Sequence, residues 1–223
     1  MLERLRNAWA RRRPSIGRLE GLAQRAEETG LVYGPLEQGG YALTGHWWGQ
    51  PVRVRCAAPT RPFMQGLEFM ARMALAGPTP AGVVVMNRVL KQQLEQRAGE
   101  LYSRYTDTLQ TTAQNVPEEI RWLSMFRDAG WVGPDQRFWA RYAVLTDAPE
   151  AARAWLDDDC VQRLMHWPTD AVSPHTPLLL MRMKGKVYMR LQIDRMDDVA
   201  TAVHALDLFR QACEQARRLQ VDG

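Results

Sequence analysis

The chain has 223 residues, of which 46% are hydrophobic and 24% are charged, so it is long enough for one large domain or two small ones. The sequence has no run of about 18 apolar residues, so no transmembrane helix is expected. The N-terminus lacks the apolar core of a signal peptide. We therefore expect a cytoplasmic protein. Cys56, Cys160 and Cys213 are far apart and form no CxxC pair, which argues against a zinc site or a disulfide framework.

The positive charge is concentrated at one end of the sequence. Residues 1–13 hold five arginines and one glutamate, a net charge of +4, which equals the net charge of the whole chain. The remaining residues therefore sum to zero. A nucleic-acid-binding domain needs concentrated positive charge, so this distribution argues against nucleic-acid binding by the body of the chain.

We define residues 1–14 as a basic amphipathic arm. Leu2, Leu5 and Trp9 have helical spacing, and Pro14 interrupts the pattern. Such an arm binds an anionic membrane surface or a partner, or it packs on its own domain with its arginines in water. Its candidate contact residues are Leu2, Arg4, Leu5, Arg6, Trp9, Arg11, Arg12 and Arg13.

The first elements of the body are a helix near 16–29 and an antiparallel hairpin over 41–56. The hairpin closes over Trp48-Gly49-Gln50-Pro51, because residues on either side alternate between apolar and polar. Neighbouring strand residues point to opposite faces, which assigns Trp47 to the core and Trp48 to the turn or the outer face. Trp48 is either an interaction anchor or the cover of a nearby helix or loop.

The middle of the chain mixes strands and helices. Residues 67–75 suit a helix or a strand, and we favour a strand; 76–82 form a loop. A short apolar run then leads into a helix from 87 to about 109. A capping box at 115–118 opens a helix that runs through Phe126.

The second half carries a predicted strand over 136–146, with Phe138, Ala140, Tyr142 and Val144 on one face. Asp147 is predicted to cap a following helix, and Asp157, Asp158 and Asp159 to begin another. Residues 178–194 form the clearest hairpin, with Lys184-Gly185 as its tight turn.

A long helix from 197 to 218 ends the chain. Val199, Leu206 and Cys213 recur every seven residues, with Ala202, Phe209 and Ala216 alongside. This seam either packs on the sheet or forms a homodimer with a second copy.

These elements predict an α+β fold with a largely antiparallel sheet built from hairpins, helices packed on one face, and a long C-terminal helix. We expect a single domain over 15–223, or two lobes at about 15–110 and 111–223.

No catalytic motif accompanies this fold. The sequence has no HExxH, GxGxxG, GxxxxGK[ST] or GxSxG pattern. Asp157–Asp159 suit a helix N-terminus better than a metal site, and Cys160 and His166 fall on different helix faces. We therefore predict no catalytic, cofactor-binding or metal-binding residue.

Two segments resemble a known family. GGYALTGHWWGQPVRV, residues 39–54, is similar to the G-x-Y-x-G-x-x-x-G-R-x-V hairpin of an uncharacterised bacterial domain family that is often encoded beside LemA-type membrane proteins. Residues 135–165 resemble its later strand-and-helix segment. Gln50 stands where many relatives place arginine. The resemblance implies an α+β fold and work near a membrane, and it carries over no catalytic residue.

The sequence thus predicts a non-enzymatic binding or accessory protein without a cofactor, with a protein partner or an anionic membrane surface at the inner face. The alternative is a small-molecule-binding domain or an unrecognised enzyme, with a pocket between sheet and helices. The residues expected to line that pocket are Trp47, Phe138, Tyr142, Met189 and Phe209.

Overall fold

A computed structural model describes residues 19–79, 81–106 and 117–221. Its strands are β1 (Leu31–Pro35), β2 (Tyr41–Trp47), β3 (Gln50–Ala57), β4 (Leu67–Ala74), β5 (Val83–Asn87), β6 (Arg127–Ala129), β7 (Tyr142–Thr146), β8 (Leu178–Met183) and β9 (Lys186–Ile193). Its helices are α1 (Glu20–Glu28), α2 (Arg88–Thr106), α3 (Glu118–Met125), α4 (Gln136–Arg141), α5 (Pro149–Trp155), α6 (Asp158–Met165) and α7 (Val199–Val221).

The nine strands in these described ranges form one sheet in the order β1-β2-β3-β4-β9-β8-β5-β7-β6, and every neighbouring pair is antiparallel. The pairing of β4 with β9 joins the first half of the chain to the second. The predicted α+β class, the largely antiparallel sheet and the long C-terminal helix are confirmed. Residues 67–74 are a strand, as favoured.

Both predicted hairpins close with two-residue turns. Trp48 and Gly49 have φ angles of 50° and 77°, and Lys184 and Gly185 have φ angles of 50° and 69°. Two consecutive positive φ angles are the mark of a type I′ turn, whose twist matches that of the flanking strands. Trp48 is bulky for this backbone region, so the turn places a large ring at a strained position.

The main core lies on one face of the sheet, which we call the core face. Five of the described helices cover it and bury apolar side chains there. The largest contribution comes from α7, whose Leu206, Phe209 and Cys213 are fully buried. Residues from the other helices of this layer include Leu22 of α1, Phe138 of α4, Trp155 of α5 and Leu164 of α6.

The other two helices, α2 and α3, lie on the opposite face, which differs from the prediction of helices on one face. There Leu90, Leu94 and Trp122 pack with alternate residues of β5, β7 and β8. Strands β5 and β7 are buried at every position. Strands apolar on both sides need cover on both sides, which explains the second layer.

Two local predictions in the second half are wrong. Residues 136–141 form α4 instead of the start of a strand, and Asp135 caps it by accepting from the Arg137 backbone N–H. Phe138 and Tyr142 are four residues apart, so their burial also fits a helical turn. The helix α5 begins without a side-chain cap from Asp147, because its N-cap residue is Ala148. The short strands β1 and β6 were not predicted.

The C-terminal seam packs on the chain's own sheet. Ala202, Leu206, Phe209, Cys213 and Ala216 are at most 1% exposed. These residues are therefore not available to a second copy while α7 holds this position. A homodimer through this helix stays a prediction, and it would have to use another face of α7.

Candidate functional site

The predicted arm residues fall outside the described part of the chain, and Trp48 is the one predicted contact residue within it. Trp48 is 40% exposed, while its neighbour Trp47 is only 4% exposed. The indole N–H of Trp47 donates to the carbonyl oxygen of Thr29 at 2.8 Å. The prediction that these adjacent rings divide between core and surface is confirmed.

Trp48 rests against the C-terminal helix. The Arg217 guanidinium carbon lies 5.3 Å from the centre of the Trp48 ring. The Trp47 ring packs edge-on against the Trp48 ring, with 6.1 Å between the ring centres. The ring therefore covers part of α7 and still presents an open side to water. Its role as an interaction anchor stays a prediction.

The predicted interior pocket is not where the sequence placed it. The five expected lining residues are at most 4% exposed and belong to the continuous core. Phe138 and Tyr142 pack ring against ring at 5.5 Å, and the Tyr142 hydroxyl donates to the Leu164 carbonyl oxygen. The large rings of this set fill the interior between sheet and helices instead of lining a cavity. The five expected lining residues are Trp47, Phe138, Tyr142, Met189 and Phe209.

A cluster of positive charge occupies the part of the opposite sheet face that α2 and α3 leave uncovered. The strands β1 to β4 and β9 turn their second face outward beside α2 and α3. We define the basic face as Arg53 and Arg55 of β3, Arg72 of β4 and Lys186 of β9, which alternate with core residues. Within the described part of the chain, none of these four makes an ion pair.

The one carboxylate that these five described strands place on this face is already neutralised. Glu68 of β4 is 3% exposed and forms an ion pair with Arg190 of β9. It also accepts hydrogen bonds from the Thr60 backbone N–H and hydroxyl, each at 2.7 Å. Burial alone would raise the pKa of Glu68, but the bonds from Thr60 and the Arg190 charge outweigh it and lower the pKa.

The strand register brings residues of the basic face side by side. Arg53 is directly opposite Arg72, and Thr44 is opposite Arg53 on its other side. Together with His46 and Lys186 they line a shallow cleft of about 410 Å³. Like charges directly opposite each other on adjacent strands are destabilising, so this pair points to an anionic partner.

A second cleft lies where the β3–β4 connection meets α2 and α3, and we call it the helix cleft. It has a volume of about 620 Å³. Arg61 at its wall pairs with Glu118 and with the buried Glu119 at the start of α3. Its apolar lining consists of Pro62, Phe63, Leu94, Leu101, Pro117 and Ile120.

None of the three cysteines lines either cleft. Cys56, Cys160 and Cys213 are free thiols and fully buried. Burial raises the pKa of all three, to about 11 for Cys56. Such thiols are poor nucleophiles at neutral pH. Cys160 does not meet His166, whose ring is exposed and contacts the Gln162 carbonyl oxygen on its own helix.

The described ranges hold neither a metal-binding cluster nor a membrane-spanning helix. No group of three or more His, Cys, Asp or Glu side chains there is arranged to hold a metal ion. No helix among those residues is both long and apolar enough to cross a bilayer.

Sequence patterns predicted only part of the basic face. The alternation of the β3 residues indicates that Arg53 and Arg55 point away from the core. Arg72 and Lys186 come from distant parts of the sequence, and only the order β3-β4-β9 brings them to the same face. No sequence pattern marks the helix cleft, because its walls come from three separate elements.

Comparisons with known proteins give little outside evidence. No family model and no curated protein matches the chain. One similar solved structure is the crystal structure of the mycobacterial trehalose monomycolate transport factor A, TtfA. It is 13% identical, with a TM-score of 0.47, over 92% of this chain and 96% of that chain. A similarity at this level assigns no function to this chain.

Proposed function

We propose that this chain is a non-enzymatic binding protein that attaches peripherally to an anionic membrane surface. The observation that supports it most directly is the basic face, where four cations are exposed or half-buried without ion pairs among the described residues. Charge complementarity then selects an anionic partner. A lipid surface suits a face spread over several strands, because it presents many negative groups in one plane.

The strength of this attachment follows from the number of charges. Each lysine or arginine near an anionic membrane contributes roughly 1 kcal/mol, so four cations give weak, salt-sensitive binding by themselves. The arm would supply the second part. Its pattern of Leu2, Leu5 and Trp9 among five arginines is typical of helices that lie in a membrane interface.

The test is co-sedimentation of the full chain with phosphatidylglycerol-containing vesicles and with pure phosphatidylcholine vesicles. We expect the chain to bind only the anionic vesicles, and we expect its affinity for them to fall steeply as salt is added. The variant R53Q/R72Q/K186Q should bind at least about tenfold more weakly, since three charges near the surface are lost. A variant lacking residues 1–13 should lose affinity for the anionic vesicles by a comparable factor.

A matched control separates the basic face from overall charge. R121Q/R127Q/R153Q removes the same charge from exposed arginines of α3, β6 and α5 that make no described ion pair. It should bind nearly as the unchanged chain does. If both triple variants weaken binding equally, general charge and not this face attracts the membrane; if the unchanged chain does not bind, the proposal is wrong.

The helix cleft supports a second candidate, a small-molecule-binding function. Its volume and mixed apolar and polar lining are those of ligand pockets in proteins. The dye 8-anilinonaphthalene-1-sulfonate should gain fluorescence on binding the native chain. Filling the cleft by Leu101→Trp should reduce that gain severalfold, whereas Trp48→Ala, on another part of the surface, should not. Equal fluorescence in all three would exclude the cleft as the dye site.

A further inference from the structure

The cleft at the centre of the basic face has the composition of a specific anion site. Its polar lining is Thr44, His46, Arg53, Arg72 and Lys186, and no carboxylate is among its lining residues. We infer that it binds a dianionic phosphomonoester group. This inference deepens the proposed function and rests on it, because both place an anion on the basic face.

The paired arginines carry the first step. Antiparallel partners directly opposite each other have Cβ atoms about 5 Å apart, so the stems of Arg53 and Arg72 start side by side. Each guanidinium presents two parallel N–H groups that match two oxygens of a phosphate. A dianion between them would neutralise both charges and remove their mutual repulsion.

Residues of the flanking strands complete the ring of donors. Thr44 pairs with Arg53 in the register of β2 and β3, and His46 is two residues further along the same face. Lys186 of β9 pairs with Ala74, whose small side chain leaves room for the lysine to approach the centre. The donors therefore come from four strands of one sheet, which keeps their spacing rigid.

The count of charges favours a phosphomonoester over other anions. A carboxylate or a phosphodiester carries one negative charge and would leave two of the three cations uncompensated. A phosphomonoester carries close to two negative charges at neutral pH and has three free oxygens for the five donor groups. It could come from a lipid headgroup such as phosphatidic acid or from a soluble phosphate ester.

The experiment is titration calorimetry of the full chain with glycerol 3-phosphate, and with sodium acetate at equal ionic strength. We expect saturable binding of glycerol 3-phosphate only. R53Q and R72Q should each weaken it by about tenfold, since each removes a charge-assisted pair of hydrogen bonds. R72K keeps the charge and loses the fork, so it should weaken glycerol 3-phosphate binding severalfold. R127Q/R153Q should leave that binding unchanged.

Vesicles then distinguish the source of the phosphate and the two proposals. Preference for phosphatidic acid over phosphatidylglycerol, lost in R72K, identifies the lipid headgroup. Binding of glycerol 3-phosphate without any vesicle binding supports the site and rejects the membrane proposal. Vesicle binding without glycerol 3-phosphate binding rejects the site and leaves the membrane proposal standing. Glycerol 3-phosphate binding that survives in R53Q/R72Q also rejects the site.

Discussion

Replacing Trp155 with alanine should lower the free energy of unfolding by about 4 kcal/mol, as removal of a buried aromatic ring in a core does. Trp155 is fully buried at the end of α5. Its indole N–H donates to the Ala212 carbonyl oxygen of α7 at 2.9 Å. The Arg182 guanidinium of β8 lies 5.7 Å from the ring centre. One side chain thus connects two helices and the sheet.

Urea unfolding followed by circular dichroism measures this loss. Trp48→Ala is the matched control, because the same ring is removed from a position that is 40% exposed. Its main partner there is the Arg217 guanidinium, and an exposed cation–π contact contributes about 0.5–1 kcal/mol. Equal destabilisation by the two substitutions would contradict the packing described for Trp155.

Replacing Glu68 with glutamine should cost about 3 kcal/mol of stability, since removal of one partner leaves the buried charge of Arg190 uncompensated. The Arg190 side chain is 14% exposed and the Glu68 side chain 2% exposed, so water screens the pair poorly. Glu95→Gln is the control. Glu95 forms an ion pair with Lys91 on the surface of α2. Its replacement should lower the free energy of unfolding by less than about 0.5 kcal/mol.

The Glu68 network also predicts a pH dependence. Its pKa is lowered in the folded chain from the ordinary value of 4.5. The unfolded chain therefore binds a proton first as the pH falls, so the stabilisation is complete above pH 4.5 and is lost as the pH drops through the folded pKa. Urea unfolding across this pH range should show that the free energy of unfolding falls less steeply with decreasing pH in Glu68→Gln than in the unchanged chain. An identical pH profile would mean that Glu68 is not held as a carboxylate.

The partners of Glu68 also allow a coupling measurement. If the cost of Glu68→Gln comes mainly from the buried and uncompensated charge of Arg190, the double variant E68Q/R190Q should be more stable than the sum of the single losses implies. Additive losses would place the stabilisation in the Thr60 hydrogen bonds instead.

Local patterns were sufficient wherever one face of an element is buried and the other is wet. Strands β2, β3 and β9 largely alternate between buried and more exposed positions, and the structure has both predicted hairpins, β2–β3 and β8–β9. The division of Trp47 and Trp48 between core and surface follows from the same alternation. Patterns failed where burial fits two periods, as at 136–141, where Phe138 and Tyr142 suit a strand or a helix.

The sequence by itself determined the α+β class, the hairpins, the long C-terminal helix and the concentration of net charge in residues 1–13. Only the tertiary structure decided where the charges of the body collect. Residues 14–223 are neutral in sum, yet strand order places Arg53, Arg72 and Lys186 around one cleft while most carboxylates lie elsewhere. The physical reason is that net charge adds along a chain, whereas a binding surface depends on which strands become neighbours, and that is set by long-range pairing.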